Sequence, residues 1–144
     1  MANFVDATRF MKKIERVKYN YLIAVEKSLT MSAQEVYDKA VDNLSGPGIH
    51  PNEKGSNNSA IGEMPVPRRT GNLARSMKNR KLSRFEYAIY SDERTADYAK
   101  FVHDGTRRMR PRRFLGDVVR ERGPAIENRI RYETLKAIRA EGRK

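Results

Sequence analysis

The stretch YAKFVHDGTRRMRPRRFL, from Tyr98 to Leu115, separates two apolar clusters by a Gly-Thr pair and five arginines. Glycine and small polar residues are typical of tight turns, so a turn is predicted in the middle of the stretch. His103 and Asp104 precede this turn, but the further groups of a complete active site do not accompany them. The role of the stretch therefore has to follow from the rest of the chain.

Length and charge limit the possible classes of protein. The chain has 144 residues, which predicts a single domain over 1–144 with one modest core. Thirty lysines and arginines face 18 acids, giving a formal net charge of +12. Such an excess attracts polyanions and is screened by salt, so nucleic acid is an expected neighbour. The chain has no cysteine, which excludes a disulfide framework and thiolate metal sites.

Hydropathy argues against a membrane partner. No stretch approaches the roughly 20 apolar residues that span a bilayer. The N-terminal MANFVDATRFMKKIERVKYN also lacks the apolar centre of a secretory signal peptide. We therefore expect a protein that neither spans a membrane nor is exported by that route.

Residues 1–45 contain neither glycine nor proline, and apolar or small residues recur at helical spacing from Phe10 to Leu44. An unbroken helix of this length would measure roughly 60 Å, more than a domain of this size covers, so part of its apolar face is expected to need a partner chain. The sequence from Ser32 to Glu35 has the S-x-x-E form of a capping box. We therefore predict a kink or short break near 30–32.

A long loop is predicted over 46–69, because this segment is rich in Gly, Pro, Asn and Ser and has no sustained period. Loops of this length are usually functional or disordered. No acid occurs from Met64 to Phe85, whereas seven arginines and lysines do, and such a cluster favours contact with phosphate. The candidate DNA or lumen contacts are Arg68, Arg69, Arg75, Lys78, Arg80 and Lys81.

Residues 70–111 are interpreted as the sheet and motif region, and 112–140 as the C-terminal helical region. The alternating, aromatic FEYAIYS predicts a strand, and the preceding SMKNRKLS is suited to pair with it through a turn. Gly123 and Pro124 interrupt the later helical pattern, and proline suits the first position of a new helix. The predicted class is α+β, with a long N-terminal helix, a small antiparallel sheet and a C-terminal helix.

The residues needed for catalysis are sparse. His50 and His103 are the only histidines, so a multi-histidine metal cage within one chain is impossible. The His103-Asp104 pair is a weak echo of metal-dependent phosphohydrolases, which need further ligands. Phosphate-loop, nucleophile-elbow and C-x-x-C motifs are missing as well. We predict a protein that is not an enzyme and uses neither a metal nor a cofactor.

Three short motifs follow one another in the second half of the chain. They read PRRTGNLARS over 67–76, YAKFVHDGT over 98–106 and MRPRRFL over 109–115. In this order and at this spacing they resemble the tail-component family of long-tailed, lambda-like bacteriophages, which supplies neck and tail-completion subunits. The resemblance covers 67–115, and a compatible long N-terminal helix precedes it.

The resemblance implies a structural virion protein, a neck or tail-completion subunit that forms a ring at the head-tail junction around the DNA channel. A homo-oligomer is implied, with a hexamer favoured and a dodecamer as the alternative. The implied partners are the head-side connector, tail-tube or tail-terminator proteins and double-stranded DNA bound without sequence specificity. The implied location is the virion, reached from the host cytoplasm during assembly. Composition alone supports a different candidate, a freestanding basic nucleic-acid-binding protein.

The resemblance also suggests roles within the opening stretch. Tyr98, Phe101 and Val102 would pack onto the sheet and the N-terminal helix, and the arginines would face either an acidic neighbouring subunit or DNA. Gly105 would permit the turn. The proposed anchors, in the core or at a subunit interface, are Tyr98, Phe101, Val102, Gly105, Met109, Phe114 and Leu115.

Overall fold

The computed structural model describes residues 7–46, 64–66 and 70–142. The predicted α+β class is confirmed, with a long N-terminal helix, a two-stranded antiparallel sheet and a C-terminal helix. The elements in chain order are α1 Ala7–Asn43, α2 Asn72–Ser76, β1 Met77–Ser83, β2 Glu86–Ser91, α3 Ala99–Asp104 and α4 Gly116–Gly142. In the described part of the chain, no helix combines the length and the apolar character needed to cross a membrane.

Helix α1 continues through 30–32, so the predicted break is wrong. Ser32 does not cap a new helix, because its hydroxyl donates to the carbonyl of Ser28 at 2.7 Å within the same helix. Thr30 bonds the carbonyl of Glu26 in the same way at 2.8 Å. Ser32 is buried, so tertiary packing outweighs the local capping signal. A bend within the continuous helix stays a prediction.

Helix α4 also runs on where the sequence predicted an interruption, since Pro124 lies inside it. Proline has no N–H to donate to the carbonyl four residues earlier, and its ring disfavours helical backbone in the preceding residue. That preceding residue is Gly123, which has no Cβ to clash with the ring, and a Cβ added there would meet nothing within 4 Å. Packing of α4 against α1 then keeps the helix continuous across the proline.

Helices α1 and α4 pack antiparallel. Asn20 of α1 donates to Glu141 near the end of α4 at 2.9 Å, whereas Asn43 at the end of α1 donates to the carbonyl of Phe114, just before α4, at 3.2 Å. Between these ends, Arg129 of α4 binds Glu35 of α1 at 2.6 Å. Polar contacts therefore fix the register of the pair along its length.

The two strands form the predicted hairpin, with Met77 opposite Ser91 and an irregularity between Lys81 and Ser83. Alternate residues of a strand point to opposite faces, and one face of this hairpin meets α1. On that face the hydroxyl groups of Tyr87 and Thr30 lie 2.6 Å apart. The hairpin is therefore held on the long helix by one side only.

The core lies where the last turns of α1 meet the hairpin and the segments on either side of it. Val66 is part of this core and bonds the carbonyl of Asn43 through its N–H at 2.7 Å, which brings the end of the predicted 46–69 loop back to α1. Residues 47–63 and 67–69 of that loop lie outside the described residues. The buried cluster consists of Ala40, Leu44, Val66, Leu73, Met77, Ala96, Ala99 and Phe114.

An ionic cluster joins the tip of the hairpin to α1. The Glu26 carboxylate accepts hydrogen bonds from Lys81 Nζ at 2.6 Å and Arg84 Nε at 2.9 Å. These two bonds lower the pKa of Glu26, against a smaller opposing effect of desolvation. The bond to Glu26 also raises the pKa of Lys81. Both shifts favour the charged forms, so the cluster stabilises the folded state in the range where all three groups are ionised.

Replacing Glu26 by Gln should lower the melting temperature at neutral pH. Because the folded-state pKa of Glu26 is depressed, its contribution is complete above the ordinary glutamate pKa, near 4, and is lost as the pH falls through the lower folded value. The contribution of Lys81 is complete below the ordinary lysine pKa and is lost as the pH rises through its raised folded value. Thermal melts from pH 2 to 7 measure how the stabilisation by Glu26 is lost as the pH falls.

A matched control is Glu15→Gln, because Glu15 is an exposed acid of the same helix for which no ion pair is found among the described residues. Its melting temperature should follow that of the unmodified protein at every pH. Equal effects of the two substitutions would contradict the assignment of the ion pair to Glu26.

Candidate functional site

Helix α3 ends at a turn that only glycine fits. Gly105 follows the helix with φ 79°, in the left-handed region that side chains disfavour. A Cβ added there would lie 2.7 Å from the backbone nitrogen of Pro111 and 2.8 Å from the carbonyl oxygen of Met109. Both atoms belong to the backbone and cannot move aside cheaply. Conformation and space therefore both require glycine at the predicted turn.

The turn is closed by backbone hydrogen bonds. Thr106 and Met109 exchange two of them, at 2.8 and 3.2 Å, and the N–H of Arg108 donates to the Thr106 hydroxyl at 3.3 Å. Beyond the turn, the N–H of Arg112 bonds the carbonyl of Val102 at 2.9 Å. These bonds hold the segment against α3. The side chains of the turn therefore have a defined arrangement.

His103 connects this turn to the start of α4. Its Nε2 accepts the backbone N–H of Gly116 at 3.2 Å, and its Nδ1 lies 2.7 Å from the carboxylate of Asp104. Since a backbone N–H only donates, this geometry assigns the ring proton to Nδ1 and makes Asp104 its acceptor. The ring thereby satisfies one of the free N–H groups at a helix N-terminus. Sequence reasoning missed this role, because the two partners lie 13 positions apart and match no capping motif.

His103 shifts the pKa of the neighbouring carboxylate, that of Asp104. The hydrogen bond from His103 lowers the pKa of Asp104, against a smaller effect of desolvation, and the nearby charges of Lys100 and Arg113 lower it further. Within the described ranges, there is no group of three or more His, Asp or Glu side chains that could hold a metal ion. In this structure the His103-Asp104 pair joins α3 to α4.

Three of the proposed anchors contact the core. Phe114 is 2% exposed and its ring meets that of His103 edge-on, with centroids 5.1 Å apart. Val102 and Leu115 are partly buried and pack against the same core. The apolar clusters on both sides of the turn therefore contribute to one core, which fixes the two ends of the segment.

The other three apolar anchors are exposed. Tyr98 is 39% exposed, Phe101 57% and Met109 38%. The expected packing of Tyr98 and Phe101 on the sheet and the N-terminal helix stays a prediction. Successive helical residues are about 100° apart, so Ala99 and Val102 occupy the core-facing side of the short α3 and Phe101 points outward. A role of the exposed residues at a subunit interface stays a prediction.

The six basic candidates separate into different environments. Arg68 and Arg69 lie outside the described residues. Arg75 donates through Nη2 to the carbonyl of Thr70 at 3.0 Å and to Asn72 Oδ1 at 2.5 Å, so it stabilises its own loop. Lys81 is bound to Glu26, as described above. Arg75 and Lys81 are therefore already bound to other groups of the protein.

Lys78 and Arg80 remain, on the face of the hairpin opposite α1. In the register, Lys78 lies opposite Tyr90 and Arg80 opposite Ala88. Both cations and Tyr90 are exposed, and neither cation forms an ion pair with a described residue. The two-residue period of β1 thus divides a run of basic residues into one bound to α1 and two directed to solvent.

Comparison of the chain with protein-family models, with curated proteins and with solved structures finds no match. The resemblance to phage tail components therefore stays a prediction carried by the three sequence motifs.

Replacing Gly105 by Ala should destabilise the protein by at least about 1–3 kcal/mol, since a side chain there forces strained backbone and a backbone clash. Urea denaturation measures the loss. The control is Gly142→Ala at the end of α4, where an added Cβ would meet nothing within 4 Å and the change should stay within about 0.5 kcal/mol. Equal stabilities of the two variants would show that the turn does not depend on glycine.

Proposed function

We propose that the chain is a structural protein of a tailed bacteriophage, a neck or tail-completion subunit that forms a ring at the head-tail junction around the DNA channel. The observation that supports it best is the division of the segment from Tyr98 to Leu115. Phe114 anchors the segment in the core, while Phe101 on α3 and Met109 on the turn held by backbone hydrogen bonds remain exposed. Exposed apolar side chains on a rigid support are typical of surfaces that bind protein.

The arginines of the same turn suit such an interface. Arg107, Arg108 and Arg110 are exposed next to Met109. Arginine is enriched at protein interfaces and binds carboxylates through two parallel hydrogen bonds. The surface therefore fits a neighbouring subunit that offers an apolar pocket with acidic groups at its edge.

In this proposal the mechanism is geometric. Identical subunits join through unlike surfaces, and a rotation that closes yields a ring. A hexamer is favoured, with a dodecamer as the alternative. One face of the ring docks the head-side connector and the other the tail-tube or tail-terminator protein. The subunit positions its neighbours, and no bond is made or broken.

DNA passing through the ring would meet the outer face of the hairpin. Lys78 and Arg80 are available there to bind phosphate groups, an interaction that does not depend on base sequence. Two such cations per subunit bind weakly on their own and are repeated around the ring. A weak interaction is appropriate, because the DNA must later leave through the same channel.

Phe101 and Phe114 provide a matched pair for the first test. Phe114→Ala should cost about 3–5 kcal/mol, because it empties a buried site. Phe101→Ala should change stability by less than about 0.5 kcal/mol, because the ring is exposed, and it should still block assembly. Urea denaturation gives the stabilities, and electron microscopy of particles from the encoding phage shows whether necks form. Normal virions carrying Phe101→Ala would exclude this surface as the subunit interface.

The second test concerns DNA. The double variant Lys78→Gln/Arg80→Gln should fold normally and bind double-stranded DNA with a weaker salt dependence. The log-log slope should fall by roughly one unit for each phosphate that the variant no longer neutralises. Lys81→Gln is the control, since it removes one charge that is already bound to Glu26 and should alter stability more than the slope. An unchanged slope in the double variant would contradict the binding of DNA by this face.

The same measurements separate the proposal from the alternative of a freestanding nucleic-acid-binding protein. That alternative is favoured by the net charge of +12 and by the two solvent-directed cations of the hairpin. It requires tight DNA binding by the isolated chain, with the Phe101→Ala variant fully active. A neck subunit instead binds DNA weakly when alone and loses its place in the particle when Phe101 is removed.

A further inference from the structure

The first part of α1 extends beyond the end of α4. Helix α4 ends beside Asn20 and Arg16, which contact Glu141 at 2.9 and 4.0 Å. Residues 7–16 lie at and past this point, and all of them are exposed. A helix in water usually owes its stability to packing of an apolar face. The extension carries such a face, with Phe10 57% and Ile14 44% exposed.

This face forms one wall of a groove. Four apolar residues of α1 follow one another at helical spacing, and Ile138 of α4 closes the far end. The groove has a volume of about 400 Å³, and the stripe along α1 extends over roughly 16 Å, or three turns. The lining residues are Phe10, Lys13, Ile14, Val17, Lys18, Tyr21 and Ile138.

The charge along the α1 side of the groove is strongly one-sided. Both charged lining residues are lysines, Lys13 and Lys18. Residues 7–18 as a whole hold five cations and one acid, Glu15. A second copy placed in the same groove by a two-fold axis would bring these cations against one another, which is unfavourable. A partner with carboxylates beside its apolar side chains would be attracted to the same surface.

We propose that this groove binds an acidic amphipathic helix of a different protein. A straight apolar stripe of three turns along α1, closed at one end by Ile138 of α4, matches the helix-in-groove mode, in which the partner inserts side chains at i, i+3 or i+4 and i+7. The lysines at the edge then pair with acids that flank the inserted residues. This inference does not depend on the phage assignment, because it rests on the groove and its charge alone.

The test uses a fluorescent helical peptide of about 20 residues, with leucines at i, i+3, i+4 and i+7 and glutamates at the flanking positions. Binding to the full chain is measured by anisotropy at fixed salt. A second peptide carries lysine in place of each glutamate. The proposal expects the acidic peptide to bind at least about tenfold more tightly than the basic one. Equal or reversed affinities would overturn it.

Variants of the chain locate the site. Lys13→Glu/Lys18→Glu should weaken binding of the acidic peptide by about tenfold or more and strengthen binding of the basic one. Phe10→Ser/Ile14→Ser should abolish binding while leaving the far-ultraviolet circular dichroism unchanged. Met31→Ser is the control, because Met31 is an apolar residue of the same helix, 53% exposed, that does not line the groove. Loss of peptide binding in Met31→Ser to the same extent would contradict the site.

Two other occupants are tested in the same way. Analytical ultracentrifugation would reveal self-association, and dimers that disappear in Phe10→Ser/Ile14→Ser would assign the groove to a second copy and overturn the proposal. Vesicles of phosphatidylserine and phosphatidylcholine test an anionic lipid surface, which also attracts basic amphipathic helices. Vesicle binding that needs Phe10 and Ile14, together with no preference for the acidic peptide, would overturn it as well.

Discussion

The fold depends on the packing of the C-terminal half of α1. Ala33, Val36 and Ala40 are buried there, so this part of the helix lies inside the packed region. The hairpin and α4 both contact α1, and the segment from Tyr98 to Leu115 is fastened to the same core through Phe114. Because the described elements share one supporting helix, their relative positions follow from the faces that this helix presents to them.

The same packing explains why burial differs between the two ends of α1. Packing partners are concentrated at one end of α1, where the core lies, while residues 7–16 extend past the end of α4 without burial. The described chain therefore combines a packed region, which can hold a turn in a defined shape, with a helical extension whose apolar face is open. These are different kinds of surface, one offering a few side chains on a fixed turn and the other a groove of three turns.

The segment from Tyr98 to Leu115 uses its polar residues mainly for structure. His103 accepts the N–H of Gly116, the first residue of α4, and bonds Asp104 through its other ring nitrogen. Gly105 creates the turn, and Phe114 secures it in the core. What remains on the outside is a group of apolar and arginine side chains, which has the composition of a protein interface. The residues that anchor this segment therefore differ from those that it exposes.

The sequence by itself determined the long helix over most of residues 1–45, the hairpin and the turn at Gly105, because periodicity and turn chemistry are local properties. Only the tertiary structure decided that α1 and α4 continue through Ser32 and Pro124, since packing between the two helices outweighs local signals of a few kcal/mol. It also decided which cations of the basic run are directed to solvent. Lys78, Arg80 and Lys81 look alike in the sequence, and the packing of one hairpin face against Glu26 of α1 distinguishes them.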